Sequence, residues 1–294
     1  MEFVQYLVNI LSLGGIYALL ALGLAIVFSI VGLINFAHGE LMTIAGYLIV
    51  LSLSLGLPLP IVLLVACLGA ALSAVLMDRI AFRPMRSSSV TTLMITSFGV
   101  STICKVLFQN GVSARGRAVA LPEWMSGTLT FGGFQIGMVP LTSIVLTALA
   151  LIGLDIFLRK TTLGVAMRAA SEDFVMVSLL GLRANTVIAT SFAISGLLAG
   201  IAAVLWISQR GSVDPLMGFT PVLKAFIAAI IGGLGSLRGA VLGGFVLGAL
   251  EVGSEPFLST GTAPYRDAIV LLAVVLLLLV KPDGLLPALR GVRS

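Results

Sequence analysis

Ionisable residues are rare along this chain and fall in clusters, and the stretches between the clusters are long and apolar. From Phe3 to Ala37, 35 residues, there is no Asp, Glu, Lys, Arg or His. As one helix this run would extend about 52 Å at 1.5 Å per residue, against a bilayer core of about 30 Å. It therefore holds either one strongly tilted helix or a span followed by a further helical piece. A second uncharged run, Leu41 to Met77, is divided by "GLPLP" at 56–60. Gly and Pro there signal a turn, which predicts segments 41–55 and 59–77. Further apolar segments are expected at 88–108, 138–157, 186–207 and about 265–280. A long stretch, 219–250, is cut by "GGLGSLRG".

The polar connections orient these segments. Loop 78–87 carries Arg79, Arg83 and Arg86, segment 158–185 carries Arg159, Lys160, Arg168 and Arg183, and the tail carries Lys281, Arg290 and Arg293. Cytoplasmic loops hold the excess of Lys and Arg, so these three lie inside. Parity then puts 109–136, 208–218 and 251–263 outside, with Arg266 and Asp267 at the outer end of the last span. Stretch 219–250 begins and ends outside, so "GGLGS" is the tip of an inward excursion, at the cytoplasm or within the membrane. The first run has two readings. In one, a span leads out from a cytoplasmic N-terminus and the chain dips along 24–36, turns at "NFAHGE" and returns along 41–55. In the other, the N-terminus is external and one tilted span ends in an "AHGE" turn at the inner surface.

Composition agrees with a helical membrane protein. Of the residues 59% are hydrophobic and 10% charged, with mean hydropathy +1.17, where soluble domains carry about 25% charged residues. The dyadic alternation of a membrane β-barrel is absent. The net charge of +5 reflects the cytoplasmic loops; no basic patch with interleaved aromatics points to nucleic acid. The opening "MEFVQYLVNILSLGG" has no basic n-region and no A-x-A cleavage site, and reads as a first membrane helix. Cys67 and Cys104 lie inside apolar segments and are expected as buried packing residues.

Two interruptions carry the candidate chemistry. "NFAHGE" holds the only histidine, His38, with Asn35 before it and Glu40 after it. An ionisable group at membrane depth is expensive and marks function or a necessary structural role. Either these residues line a polar path, or they cap a broken helix, with Asn35 satisfying freed backbone groups and Gly39 permitting the turn. One His and one Glu are too few ligands for a zinc site, and no nucleophile motif accompanies them. "GGLGS", with Gly232, Gly233, Gly235 and Ser236, lacks the G-x-x-x-x-G-K-[ST] pattern of a nucleotide loop. Its glycines suit a tight turn. Gly239/Gly243, Gly244/Gly248 and Gly196/Gly200 have the spacing that lets membrane helices touch. Paired interruptions in two halves of a membrane chain point to a transporter's substrate path. The segment 161–181, "TTLGVAMRAASEDFVMVSLLG", is too polar to span. It reads either as a solvated loop or as a short helix, capped by Thr161 or Thr162, shown to a cytoplasmic partner.

Three stretches together, "GLINFAHGELMTIAGY", "TTLGVAMRAASEDFVMVSLLGLRAN" and "LKAFIAAIIGGLGSLRGAVLGGFVLGALE", resemble in order the signature regions of the branched-chain amino acid ABC transporter permeases of the LivH type. The resemblance runs the length of the chain. It implies an all-α polytopic membrane protein of about 8–10 transmembrane or re-entrant helices, with pseudo-repeated halves, as a single permease domain over 1–294. Such a chain performs no covalent chemistry and binds no cofactor or metal; ATP is used by separate subunits. The implied partners are a second permease, two cytoplasmic ATPases, an extracytoplasmic substrate-binding protein and membrane lipid, in the inner membrane of a prokaryote. The segment at about 159–184 corresponds to the family's ATPase-coupling loop, with Gly164, Arg168, Ala169, Glu172, Asp173 and Gly181. The helix breaks, with Asn35, His38, Glu40, Gly232, Gly233, Gly235 and Ser236, would belong to the translocation path or its gates. Permeases for urea, short amides or other amino acids share the "NxAHGE" region and remain alternatives. A stand-alone carrier, which needs no coupling segment, is a more distant one.

Overall fold

The computed structural model describes residues 2–86, 88–120, 122–131, 134–174, 177, 183–257 and 265–286. Ten helices lie within them. They are α1 (Glu2–Val31), α2 (His38–Ser54), α3 (Leu59–Met77), α4 (Val90–Gly111), α5 (Met138–Lys160), α6 (Thr162–Glu172), α7 (Ala184–Arg210), α8 (Phe219–Gly232), α9 (Leu237–Ser254) and α10 (Arg266–Val280). Among the described residues, six of these are long and apolar enough to cross a membrane: α1, α3 (with the turns that extend it to Met85), α4, α5, α7 and α9.

The first uncharged run is one helix. α1 is apolar on every side, which suits a helix enclosed by others, and Ile16 through Ala21 are wholly buried. It packs most extensively against α9, and also against α5, α7 and α8. Between lipid-soluble helices there is no hydrophobic drive to associate, so close van der Waals contact must supply the attraction. The glycines of α9 permit it: Gly244 lies on the backbone of Ala18 and Gly248 on that of Gly14. On α7, Gly196 and Gly200 accept the backbone of α3 at Ala70 and Cys67. Cys67 and Cys104 are free and only half-buried, not the enclosed packing residues expected, because each lies on a helix, α3 or α4, with a broad outer face.

The pairing decides the orientation that the sequence left open. Gly14 neighbours Gly248 and Ala18 neighbours Gly244, so α1 and α9 are antiparallel. With the cationic loops inside, α9 runs outward and α1 runs inward from an external start. The dipping reading of residues 24–36 is therefore set aside.

Local chemistry explains the ends. Gly32, at φ 73°, closes α1 by donating its N–H to Phe28. Pro58 and Pro60 open α3. Ser89 caps α4, accepting from Thr92 N at 3.3 Å. Beyond α3 a π-type turn, Asp78–Phe82, is fastened by Arg86, whose Nη2 donates to both carboxylate oxygens of Asp78 at 2.6 and 2.8 Å. On the outer side, β1 (Arg117–Ala118) pairs with β4 (Ser212–Val213), and β2 (Thr128–Phe131) with β3 (Phe134–Gly137), both antiparallel. The described parts of loop 109–136 thus hold two short antiparallel pairings.

Candidate translocation site

After α1 ends at Val31, the chain climbs back along it and starts α2 beside Gly23, eight residues inside the end of α1. That is about 12 Å of helix, so the "AHGE" turn lies within the bundle and not at the inner surface. The turn is made by Gly32 and Asn35 rather than by Gly39. Asn35 accepts from Ala37 N at 3.0 Å through Oδ1, and its carbonyl accepts from His38 N at 3.2 Å. Freed backbone at this depth must find a partner. Phe36 N finds it across the bundle, in the hydroxyl of Ser97 on α4 at 3.3 Å.

His38 is wholly buried. Its Nδ1 is 3.1 Å from Ser195 Oγ on α7, and its ring edge fills the space left by Gly23 on α1. Nε2 has no partner among the described residues. The imidazole therefore wedges α1, α2 and α7 together. Glu40 is also buried; its Oε1 accepts from Ser101 Oγ at 2.9 Å and faces Lys105 Nζ at 3.7 Å. Lys105 in turn stands 4.3 Å over the ring of Phe219, the first residue of α8. Phe36 stacks on Phe98 with centroids 4.2 Å apart, and meets Phe226 at 5.6 Å. One face of α4, with Ser97, Phe98, Ser101 and Lys105, thus clasps the starts of both α2 and α8.

The two interruptions singled out in the sequence do not meet. What faces "AHGE" is the turn before α8: Gly39 and Gly218 touch backbone to backbone. Gly232, Gly233, Gly235 and Ser236 lie at the far end of α8. There Gly233 (φ 104°) and Gly235 (φ 88°) make the reversal and Ser236 caps α9, accepting from Gly239 N at 3.1 Å. This tip joins the segment after the last helix: Leu285 N donates to Ile231 O at 2.8 Å and Leu286 N to Gly232 O at 3.0 Å. That segment follows the last span, so the tip reaches the cytoplasmic face.

The 161–181 segment begins with α6, capped by Thr161, whose Oγ1 accepts from Gly164 N at 3.0 Å. Gly164, Ala166, Met167 and Ala170 are buried, and a side chain at Gly164 would collide with the Phe157 carbonyl. Gly164 therefore seats α6 on α5 and does not belong to its outer face. Arg168, Ala169, Glu172 and Asp173 are exposed, as are Leu163 and Val165 at 39% and 47%. Val165 shares the outward face with Arg168, Ala169 and Glu172, whereas Leu163 lies on the stripe of buried Met167 and Ala170 at the start of the helix. Gly181, like Arg290 and Arg293, lies outside the described residues.

Sequence reasoning missed Lys105, Ser101 and Phe219, and a second polar group at the outer ends of α8, α9 and α10. Lys224 Nζ lies 2.7 Å from Glu251 Oε1 and 3.1 Å from Asp267 Oδ1. Arg266 lies 2.9 Å from Glu255 Oε1, and Tyr17 OH donates to Glu251 Oε2 at 2.8 Å. A lysine and a glutamate inside apolar segments were the available signals.

The sequence profile described as "Branched-chain amino acid transport system / permease component" matches residues 6–280. The chain is 37% identical over 300 residues to the high-affinity branched-chain amino acid transport system permease protein LivH of Escherichia coli K12, covering 97% of this chain and 95% of LivH. It is 28% identical over 310 residues to LivM, the permease protein of the same description from that organism, covering 96% of this chain and 70% of LivM. Among solved structures, PsaBC from Streptococcus pneumoniae in complex with Fab aligns over 95% of this chain and 94% of that one, with TM-score 0.52 at 16% identity, a likeness of fold. A helical bundle in which α2 starts at depth after an interrupted backbone, matched almost end to end, has one assignment: the chain belongs to the branched-chain amino acid transport system permease family.

Proposed function

We propose that this chain is one of two membrane-spanning subunits of an ATP-driven importer of branched-chain amino acids, and forms half of the translocation pathway. The observation that carries the substrate class is the near full-length likeness to LivH. Likeness to LivM, a second permease protein of the same description, supports a related but distinct partner subunit. The membrane is the inner membrane of a prokaryote, with an extracytoplasmic binding protein delivering substrate from outside.

The chain performs no covalent chemistry, and ATP is bound and hydrolysed by two cytoplasmic subunits. α6 supports that division of labour. It is a short capped helix whose outward face sets Val165 among Arg168, Ala169 and Glu172, a mixed surface that suits a helix laid in a groove. Closure of the ATPases moves α6, α5 follows as one body with it, and the opening of the pathway alternates. In this reading Asn35, His38 and Glu40 hold the break that starts α2, and Gly232, Gly233, Gly235 and Ser236 shape the cytoplasmic end of the path.

Purification of this chain from its native membrane in mild detergent, with mass spectrometry of what accompanies it, tests the assignment. A second permease and two ATPases with Walker motifs are expected. A chain that emerges alone and moves amino acids in vesicles without ATP overturns it and makes the chain a self-sufficient carrier.

A further inference from the structure

The outer end of the bundle holds a polar cavity of about 450 Å³, within the range of about 300–1,000 Å³ usual for small-molecule sites. Its wall comes from the end of α7, the turn before α8, and the outer ends of α8, α9 and α10. Three cations, Arg210, Lys224 and Arg266, and three anions, Asp214, Glu251 and Asp267, line it.

These six groups are not equivalent. Lys224 is held between Glu251 and Asp267, and Arg266 is held by Glu255 with Glu251 at 3.9 Å. Those ion pairs, with Tyr17 on Glu251, fasten α1, α8, α9 and α10 to one another. Arg210 makes no ion pair among the described residues; its guanidinium carbon stands over Trp206, 4.3 Å from the ring centroid. Asp214 accepts one bond, from Leu216 N at 2.9 Å through Oδ1. The apolar part of the same lining is Trp206 and Met217, both buried.

We propose that this cavity is a receiving subsite for a zwitterionic α-amino acid, with Arg210 taking the carboxylate, Asp214 the ammonium, and Trp206 and Met217 the apolar side chain. The proposal rests on the amino acid import argued above and names where in this chain the substrate first lands. A guanidinium held over an indole and free of an ion pair can offer its planar fork of N–H donors to a carboxylate. Among the described residues that line the cavity, a cation and an anion without ion pairs beside apolar side chains complement a zwitterion and leave a mono-charged analogue with a charge unanswered.

The test uses the assembled permease–ATPase complex in lipid nanodiscs, without binding protein, and equilibrium binding of radiolabelled L-leucine. Leucinamide, which lacks the carboxylate, and N-acetyl-leucine, which lacks the ammonium, are the competitors. Wild-type complex should prefer leucine to either analogue by at least tenfold. Arg210→Gln should weaken leucine about tenfold, leave leucinamide unchanged and abolish the preference between them, with Arg210→Lys intermediate. Asp214→Asn should abolish the preference between leucine and N-acetyl-leucine. A purely structural role would not exchange these two selectivities. Unchanged preferences in both variants overturn the proposal, as does loss of binding-protein docking with leucine binding intact, which would make the cavity a docking contact. A complex that imports no leucine with ATP and binding protein present would instead refute the import reading on which the subsite rests.

Discussion

Gly39, in the first turn of α2, lies against Gly218, the residue before α8, and a methyl group placed on Gly39 would stand 2.5 Å from the Gly218 carbonyl oxygen. Neither backbone can yield easily, because Phe36 and Glu40 on one side and Phe219 on the other are held by the same face of α4. Overpacking of a tight site costs about 1–3 kcal/mol, occasionally more. Gly39→Ala and Gly218→Ala should each lower the melting temperature of the detergent-solubilised protein. The double variant should be worse than either, and melting curves that overlay the parent would show that the start of α2 and the turn before α8 are not in contact.

The Glu40–Lys105 pair should behave as a coupled unit. Removing one partner of a buried pair leaves the other charge uncompensated, at about 3–5 kcal/mol when burial is complete. Lys105 keeps 19% of its side-chain exposure, so a smaller loss, about 1–3 kcal/mol, is expected for Glu40→Gln or Lys105→Met. The double variant should recover part of it. A double-mutant cycle on thermal stability reads the coupling directly, and strict additivity would mean that the two charges do not interact.

His38 joins α1, α2 and α7 through Gly23 and Ser195, and in the proposed reading it holds these helices rather than touching substrate. His38→Ala opens a cavity between α1, α2 and α7 and leaves Ser195 without its side-chain partner. The loss should be on the order of 2–4 kcal/mol, as for large-to-small core changes. Folded yield and melting temperature should fall, while the fraction that survives keeps its transport KM. A stable His38→Ala protein with selectively raised KM would place the imidazole in the path instead.

Most of the spans were legible in the sequence, since charge clusters and the Gly-Pro turn at 56–60 mark where the chain leaves the apolar phase. The capped helix at Thr161 was legible for the same kind of reason, a hydroxyl followed by a short polar helix former. Partners across the bundle were not. Lys105 reads as a cation near the end of a span, and nothing local says that it faces Glu40. Glu251 and Tyr17 stand at opposite ends of the chain and meet only because α9 lies on α1. Which turn faces "AHGE" was not legible for a related reason: it is the start of α8, after an unremarkable "DPLMG", while the more conspicuous "GGLGS" lies at the other end of that helix.

The outer face of α6 should be separable from the fold. Val165→Asp and Arg168→Glu alter exposed positions, where substitutions away from packing change stability by less than about 0.5 kcal/mol. Both should leave the melting temperature near the parent's and reduce co-purification of the ATPase subunits severalfold. Retained ATPase binding in both variants would move the contact to another cytoplasmic segment.

The central claim is import of branched-chain amino acids driven by ATP through this subunit. The most direct measurement is uptake of radiolabelled L-leucine by proteoliposomes containing this chain, its partner permease and the two ATPases. Binding protein is added to one side and ATP to the other. Uptake that requires ATP, binding protein and this chain together, and that isoleucine and valine compete away, is the predicted result. Uptake that persists without ATP, or a complete complex that hydrolyses ATP yet moves none of the three amino acids, would contradict it.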